Sequence, residues 1–536
     1  MLAGIFLCLP LACVAAAQFS SIPAGQTGDA FIAPAISEPV NLIPFLASDS
    51  ASAEVSRFIF NGLLKYDGNL NLVGDLAESW EVQENGLRIV FHLRKGVRWQ
   101  DGYSLTARDV VFTYLSIVDP DVPTPYSGAF EKVESVFAPD DNTVEVRYKE
   151  PFSPGLSSWT MGIIPMHILV GQDLRTTDFA KNPVGTGPYV LKRWVRGELL
   201  ELRSNHGYFE GKPGIDRIVL RVLPDPATVF LELQNENLDT ASLTPLQFNR
   251  QIQTKFFQEK YQPYDWAGLQ YTYLGYNLDS PLFSDKRVRQ AFAMAIDRDE
   301  MVSAVLMGRG RPTTGPFLPD TWAYNADVKP FPHDLSAAKN LLREVGWEDR
   351  DKDGVLEDRE GRKFSFTVLT NGGNDQRKMT CEILQRQLSA LGIDVKIQRV
   401  EWSVFLKEFI HPRRFEAVLL AWNLALDPDI FDIFHSSRRS PGQFNFVSYS
   451  NPEADHLIEE ARTEYDQKKR GDLYHRVHRL IYDDQPYAFL YASESLMVLH
   501  KRFEGVTLGK LGVGHDFVRW YVPKERQKYL SLSLDA

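Results

Sequence analysis

The chain has 536 residues, with 59 Lys plus Arg against 70 Asp plus Glu and a formal net charge of -11. One hydrophobic core does not serve so long a chain, so two or three domains are expected. With 44% hydrophobic and 24% charged residues the composition is that of an ordinary globular protein, and the acidic balance, with no basic stripe, excludes a nucleic-acid surface.

Residues 1–17, MLAGIFLCLPLACVAAA, carry no charge. The run is too short to span a bilayer, and Ala15-Ala16-Ala17 before Gln18 fits the cleavage pattern of a secretory signal peptide. Leu11-Ala12-Cys13 loosely matches a lipoprotein box, although Pro10 stands where an aliphatic residue is usual and no Lys or Arg precedes the run. Two readings stay open, cleavage after Ala17 or a lipid anchor at Cys13. Both place the protein in the periplasm or cell envelope. After cleavage only Cys381 remains, so the body has no internal disulfide. Cys381 shares a helical face with Leu384, Leu388 and Leu391 and reads as a buried structural thiol.

A short strand is expected at 30–36, held to an edge or bulge by Pro34. A small-residue loop, 47–52, leads into a helix with Val55, Phe58, Ile59 and Leu63 on one side. In LAESWEVQENGLRIVFHLRKGVRWQDGYSLTARDVVFTY (76–114), Arg88–Leu93 alternates as a strand. Gly96 and Asp101-Gly102 mark turns there, and Thr106 caps a helix facing inward through Val110, Val111 and Tyr114. The segment 182–189, NPVGTGPY, is a tight turn before the strand Val190–Val195; it has neither the ending of a phosphate loop nor the dinucleotide glycine spacing. Tyr271–Leu278 reads as a strand. Ser284-Asp285 opens a helix with Val288, Phe292 and Ala295 in its stripe. A helix at 335–345 ends at Gly346. A strand at 363–370, a helix at 375–391 and a strand at 394–400 then predict a right-handed parallel crossover. Tyr487–Tyr491 is strand-like.

Three of these stretches, 76–114, GTGPY at 185–189 and YLGYNLDSPLFSDKRVRQAFAMAID at 273–297, resemble the peptide/nickel family of solute-binding proteins, bacterial extracellular solute-binding protein family 5. These are the ligand-capturing components of ABC importers. The resemblance implies an α/β, two-lobed periplasmic binding protein of type II with an extra subdomain and a two-strand hinge. Lobe I would be 18–60, 175–275 and 486–536, the inserted α+β subdomain 61–174, and lobe II 276–485. It further implies a monomer that binds without covalent chemistry, requires no cofactor and serves a permease and ATPase complex at the inner membrane.

Capture between lobes is a hinge-closure problem. A peptide pairs with exposed strand edges, and its charged ends need partners. Two segments are candidates. In 47–52, Asp49, Ser50 and Ser52 offer a carboxylate and hydroxyls at a helix start, with a plain N-cap cluster as the alternative. In 420–429, LAWNLALDPD, the family resemblance points to Trp422, Asn423, Leu424 and Asp427. Dipeptide and oligopeptide binders of the family pair an aspartate, four residues before the proline, with the ligand amine. Four residues before Pro428 this chain has Leu424, so the amine anchor is missing from its usual place. A longer or blocked peptide, or a non-peptide solute such as an oligosaccharide, an opine-like compound or a nickel or haem complex, stays open.

A third segment suggests a metal. Asp349, Asp351, Asp353, Gly354 and Glu360 match the calcium-loop spacing D-x-D-x-D-G-x5-E, with Val355 placed to offer its carbonyl. The alternative is a solvated acidic turn. His475 and His478, three apart with no carboxylate partner nearby, do not make a metal site. Neither G-x-S-x-G nor H-E-x-x-H occurs, and no nucleophile, base and orienter form a hydrolase constellation.

Overall fold

The structure, a computed structural model, describes residues 22, 23, 25–35, 37–47, 49–372 and 374–529, the side chain of Ser403 excepted. The expected signal segment, with Cys13 and Ala17, lies outside these residues. Among those described, no helix is long and apolar enough to cross a membrane.

The first lobe is built on a four-stranded sheet in the order Ala30–Ala35, Arg217–Val222, Leu199–Ser204, Tyr189–Val195. Ala30–Ala35 runs parallel to its neighbour at the sheet edge, where the missing N–H of Pro34 is tolerated. The helix Ser50–Ile59 turns Val55, Phe58 and Ile59 inward. The turn before Tyr189 needs glycine for closeness. A Cβ on Gly185 would lie 1.8 Å from the carbonyl oxygen of Ile59, and Gly187 donates to that same oxygen at 2.8 Å.

Three distant chain segments meet at Arg502. Its buried guanidinium donates to Asp239 at 2.7 and 3.0 Å and to Asp29. Burial works to lower the Arg502 pKa, and the two carboxylates more than offset it. The pairing fixes strand start, lobe interior and chain end to one another.

The inserted subdomain is an antiparallel sheet in the order Ala77–Gln83, Arg88–Leu93, Thr143–Tyr148, Val133–Asp140. The helix Ala107–Val118 packs on it, closed by a capping box between Thr106 and Asp109. Trp99 and Trp159 are 2% exposed, in a core continuous with that of the first-lobe sheet. The subdomain is therefore cemented to the first lobe.

The second lobe holds one end of a seven-stranded sheet, in the order Ala417–Asn423, Ser365–Asn371, Asp394–Val400, these three strands parallel. The helix Asp375–Ser389 makes the expected crossover. Cys381 is 1% exposed on it, and burial pushes its thiol up to about 12.

Two long antiparallel strands, Tyr261–Tyr276 and Tyr487–His500, join the lobes. Tyr261, Leu496 and Val498 pack in a first-lobe cluster, whereas Tyr271, Tyr273, Tyr487 and Phe489 pack in the second lobe. The pairing slips register between Ala267 and Tyr271. The crossing therefore lies inside the strands and not at the expected 275/276 and 485/486. Periodicity cannot mark the place where a continuous strand changes cores.

Candidate ligand cleft

The strand Ala417–Asn423 delivers Trp422 to its carboxyl end. The indole stacks on Phe446 and Tyr273 at centroid distances of 6.0 and 6.4 Å and meets the edge of Phe444 at 5.7 Å. Its Nε1 donates to the Tyr487 hydroxyl at 3.4 Å. The ring is thus aimed by an aromatic stack, with part of its surface exposed. Leu424 N donates to Leu269 O at 2.9 Å, prolonging the pairing one residue past the strand.

Beside Trp422 lies a cavity of about 360 Å³. Its wall runs from Trp422 through Leu424 and Asp427 to Ile433, faces Phe317, Leu318 and Trp322, and receives Leu70 from the inserted subdomain. The cavity therefore sits between the two bodies of the molecule. Nearby the subdomain touches the second lobe directly. Ser153 N donates to Arg462 O at 2.7 Å, and the Tyr465 hydroxyl donates to Gly86 O at 3.2 Å.

Three carboxylates belong to this wall, and each is matched by an arginine. Asp427 is held by both terminal nitrogens of Arg470 at 2.7 Å. Asp429 lies 3.1 Å from Arg462, and Asp432 lies 3.0 Å from Arg438. Burial works against the charged Arg470, but Asp427 beside it holds the guanidinium above its ordinary range. Burial pushes the Asp429 carboxyl up, with Arg462 opposing it. Asp427, a candidate ligand contact with a structural role beside Pro428 as its alternative, is committed to an internal bidentate pair with Arg470. Asn423 is exposed at the strand end, and Leu424 lines the cavity.

The 47–52 segment is different. Asp49 caps the helix Ser50–Ile59, accepting from Ser52 N at 2.8 Å and from Ser52 Oγ at 2.5 Å. Ser52 is fully buried, and its Oγ also accepts from Val40 N at 2.9 Å. Both residues serve the cap, which corrects the expectation that Ser52 meets ligand: its hydroxyl has no exposed face. Ser50 is exposed, and none of the three lines the cavity.

The metal expectation is also revised. Asp349, Asp351, Asp353 and Glu357 bring one carboxylate oxygen each within 4.8 Å of one another. Glu360 is not among them; it is exposed and lies 3.1 Å from Arg362. The chain after Val355 is extended and pairs Glu357 with Glu348, so position nine of the loop points inward and position twelve is carried away. His478 is buried, accepts from Asn325 N at 3.1 Å and is pushed down to about 4 by burial.

Arg377 does not line the cavity, and its guanidinium donates to the Asn371 side chain. It stands in the first turn of the helix Asp375–Ser389, just after the strand Ser365–Asn371, at the same strand-end edge as Asn423. Burial lowers its pKa, with Tyr273 and Tyr491 opposing. Its only signal in the sequence is position at a strand-to-helix turn, the usual ligand side of an open α/β sheet.

The model of bacterial extracellular solute-binding proteins, family 5 (middle region), matches residues 71–443. The oligopeptide-binding protein AppA of Bacillus subtilis is 35% identical over 508 residues, covering 93% of this chain and 92% of that protein. The dipeptide-binding protein of Escherichia coli is 27% identical over 510 residues, covering 89% and 92%. The solved structure of Bacillus subtilis AppA in complex with a nonapeptide aligns with a TM-score of 0.74 at 33% identity, covering 93% of this chain and all of that one.

Proposed function

The chain belongs to the bacterial extracellular solute-binding proteins of family 5, and from that premise we propose that it captures peptides for an ABC importer. Open lobes expose the cavity beside Trp422, a peptide bridges them, and the closed form docks on a permease and ATPase complex at the inner membrane. Contacts made only in the closed state shift the open–closed equilibrium. The act is capture and release, by a monomer sent to the periplasm or cell envelope by the segment 1–17, with no covalent step.

The observation that carries the peptide class is the wall itself. It is apolar over Phe317, Trp422 and Leu424, and its acidic groups are all paired with arginine. Such a wall takes side chains of many kinds and holds no spare carboxylate for a peptide amine. The ligand is therefore a longer or amine-blocked peptide, held by its backbone at the Asn423 edge of the cavity. Among the described residues neither His nor Cys lines the cavity, which weighs against a nickel or haem complex. Native mass spectrometry of the protein purified from its own cells, followed by identification of the released molecule, tests this. A set of peptides is expected; a single non-peptide mass overturns it.

A further inference from the structure

The acidic hairpin at 349–360 stands apart from the cleft, on the edge of the second-lobe sheet. Its backbone is anchored there: Leu356 N donates to Gly392 O at 2.7 Å, and Phe364 N donates to Leu356 O at 2.7 Å. Within the loop, Asp353 N and Val355 N donate to Asp351 and Asp353 side chains at 3.0 and 2.9 Å, and Gly354 N donates to Asp349 Oδ2 at 3.2 Å. These bonds curl the loop so that its carboxylates converge.

The convergence is not solvated on every side. Glu357 is only 4% exposed, and its Oε2 accepts from Arg350 N at 2.9 Å. Its Oε1 is buried with no partner, as is Asp349 Oδ1. A buried carboxylate oxygen without a donor is costly, and a cation is the partner that removes the cost. Arg350 does not supply it, because its guanidinium donates to the carbonyls of Glu357, Asp358 and Gly346. Arg362 is taken by Asp358 and Glu360. Among the described residues, Lys363 is the cation seen paired with the cluster: its ammonium pairs with Asp353 and lies 3.9 Å from Asp351. Lys363 thus meets two of the four carboxylates, while Asp349 Oδ1 and Glu357 Oε1 have no donor.

We propose that this hairpin is a calcium site formed by Asp349, Asp351, Asp353 and Glu357. All-oxygen ligation by several carboxylates on a flexible loop suits calcium, whereas magnesium demands compact octahedral geometry and keeps its water. The lack of His or Cys in the cluster disfavours zinc, nickel and copper. Lys363 competes with the ion for Asp351 and Asp353, so the affinity is that of a weak extracellular module. Bound calcium would pin the hairpin to the sheet edge and brace the second lobe, without touching the cleft.

The test is calorimetric titration of the EDTA-stripped full chain with calcium chloride, and in parallel with magnesium chloride. One site with a Kd of roughly 0.1–1 mM for calcium, and weaker heat for magnesium, is expected. Lys363→Ala tightens it about threefold or more, and Asp351→Asn, at an exposed position, weakens it at least about tenfold. Glu357→Gln weakens it likewise. Absence of saturable heat in both the wild type and Lys363→Ala up to about 10 mM calcium overturns the proposal, as does unchanged affinity in Asp351→Asn.

Discussion

The cleft wall and the acidic hairpin are both rich in aspartate, and they treat it in opposite ways. In the wall, Asp427, Asp429 and Asp432 each face an arginine of their own. In the hairpin, Asp349, Asp351, Asp353 and Glu357 crowd together, and Lys363 meets only Asp351 and Asp353. The wall is electrically closed and presents apolar surface to a ligand. The hairpin is left with surplus negative charge and unpaired buried oxygens. A count of acidic residues therefore says little about which of them meets a cation; the partner count decides.

The comparison breaks most visibly at Arg470. Arg470→Ala leaves the part-buried Asp427 unpaired and is expected to cost about 3 kcal/mol in stability. Denaturant unfolding measures it, and an unchanged midpoint would mean that the pair does not hold the wall. The double change Asp427→Leu with Arg470→Met should recover most of the loss, since removing both charges removes the penalty.

Acid attacks the wall from behind. His478 lies two turns beyond Arg470 on the helix Gln467–Asp484 and is pushed down to about 4 by burial, from an ordinary value of 6.5. Its folded pKa is depressed, so its contribution is full above pH 6.5 and is lost as pH falls from 6.5 towards 4. The loss from this one group amounts to roughly 3 kcal/mol. Melting curves at several pH values should show His478→Gln with a flatter dependence over that window than wild type; parallel curves would contradict the assignment.

Trp422→Ala removes the aromatic face beside the cavity and should weaken peptide binding roughly tenfold to hundredfold while the fold persists. Equal affinity would move the ligand off this wall. Asp49→Ala gives the smallest effect. It removes a helix cap worth about 1 kcal/mol and should leave ligand affinity unchanged. An affinity loss there would restore the 47–52 segment to the binding surface.

Most of the architecture is legible in the sequence because it rests on local signals. Arg88–Leu93, the capped helix after Thr106 and the crossover around Asp375–Ser389 lie where alternation, capping and glycine stops put them. The hinge position was not legible, because Tyr261–Tyr276 is one unbroken strand through two cores. The cleft was legible only in part. Trp422 and Leu424 stand in it, but no sequence signal reveals that Arg470, 43 residues later, neutralises Asp427. Ser52 misled for a similar reason: a hydroxyl in a small-residue loop reads as available, and only packing shows it to be buried under Val40 and Asn41. The hairpin motif was visible, yet its spacing points to Glu360, whereas the pairing of Glu357 with Glu348 brings Glu357 to the cluster instead.

The central claim is that this wall captures a peptide without an anchor for its amine. The most direct test is calorimetry with one nonapeptide in two forms, free and acetylated at its amino terminus. The account predicts binding of both, with affinities within about threefold. A loss of about a hundredfold on acetylation would show that a carboxylate does hold the amine and would contradict the neutral wall.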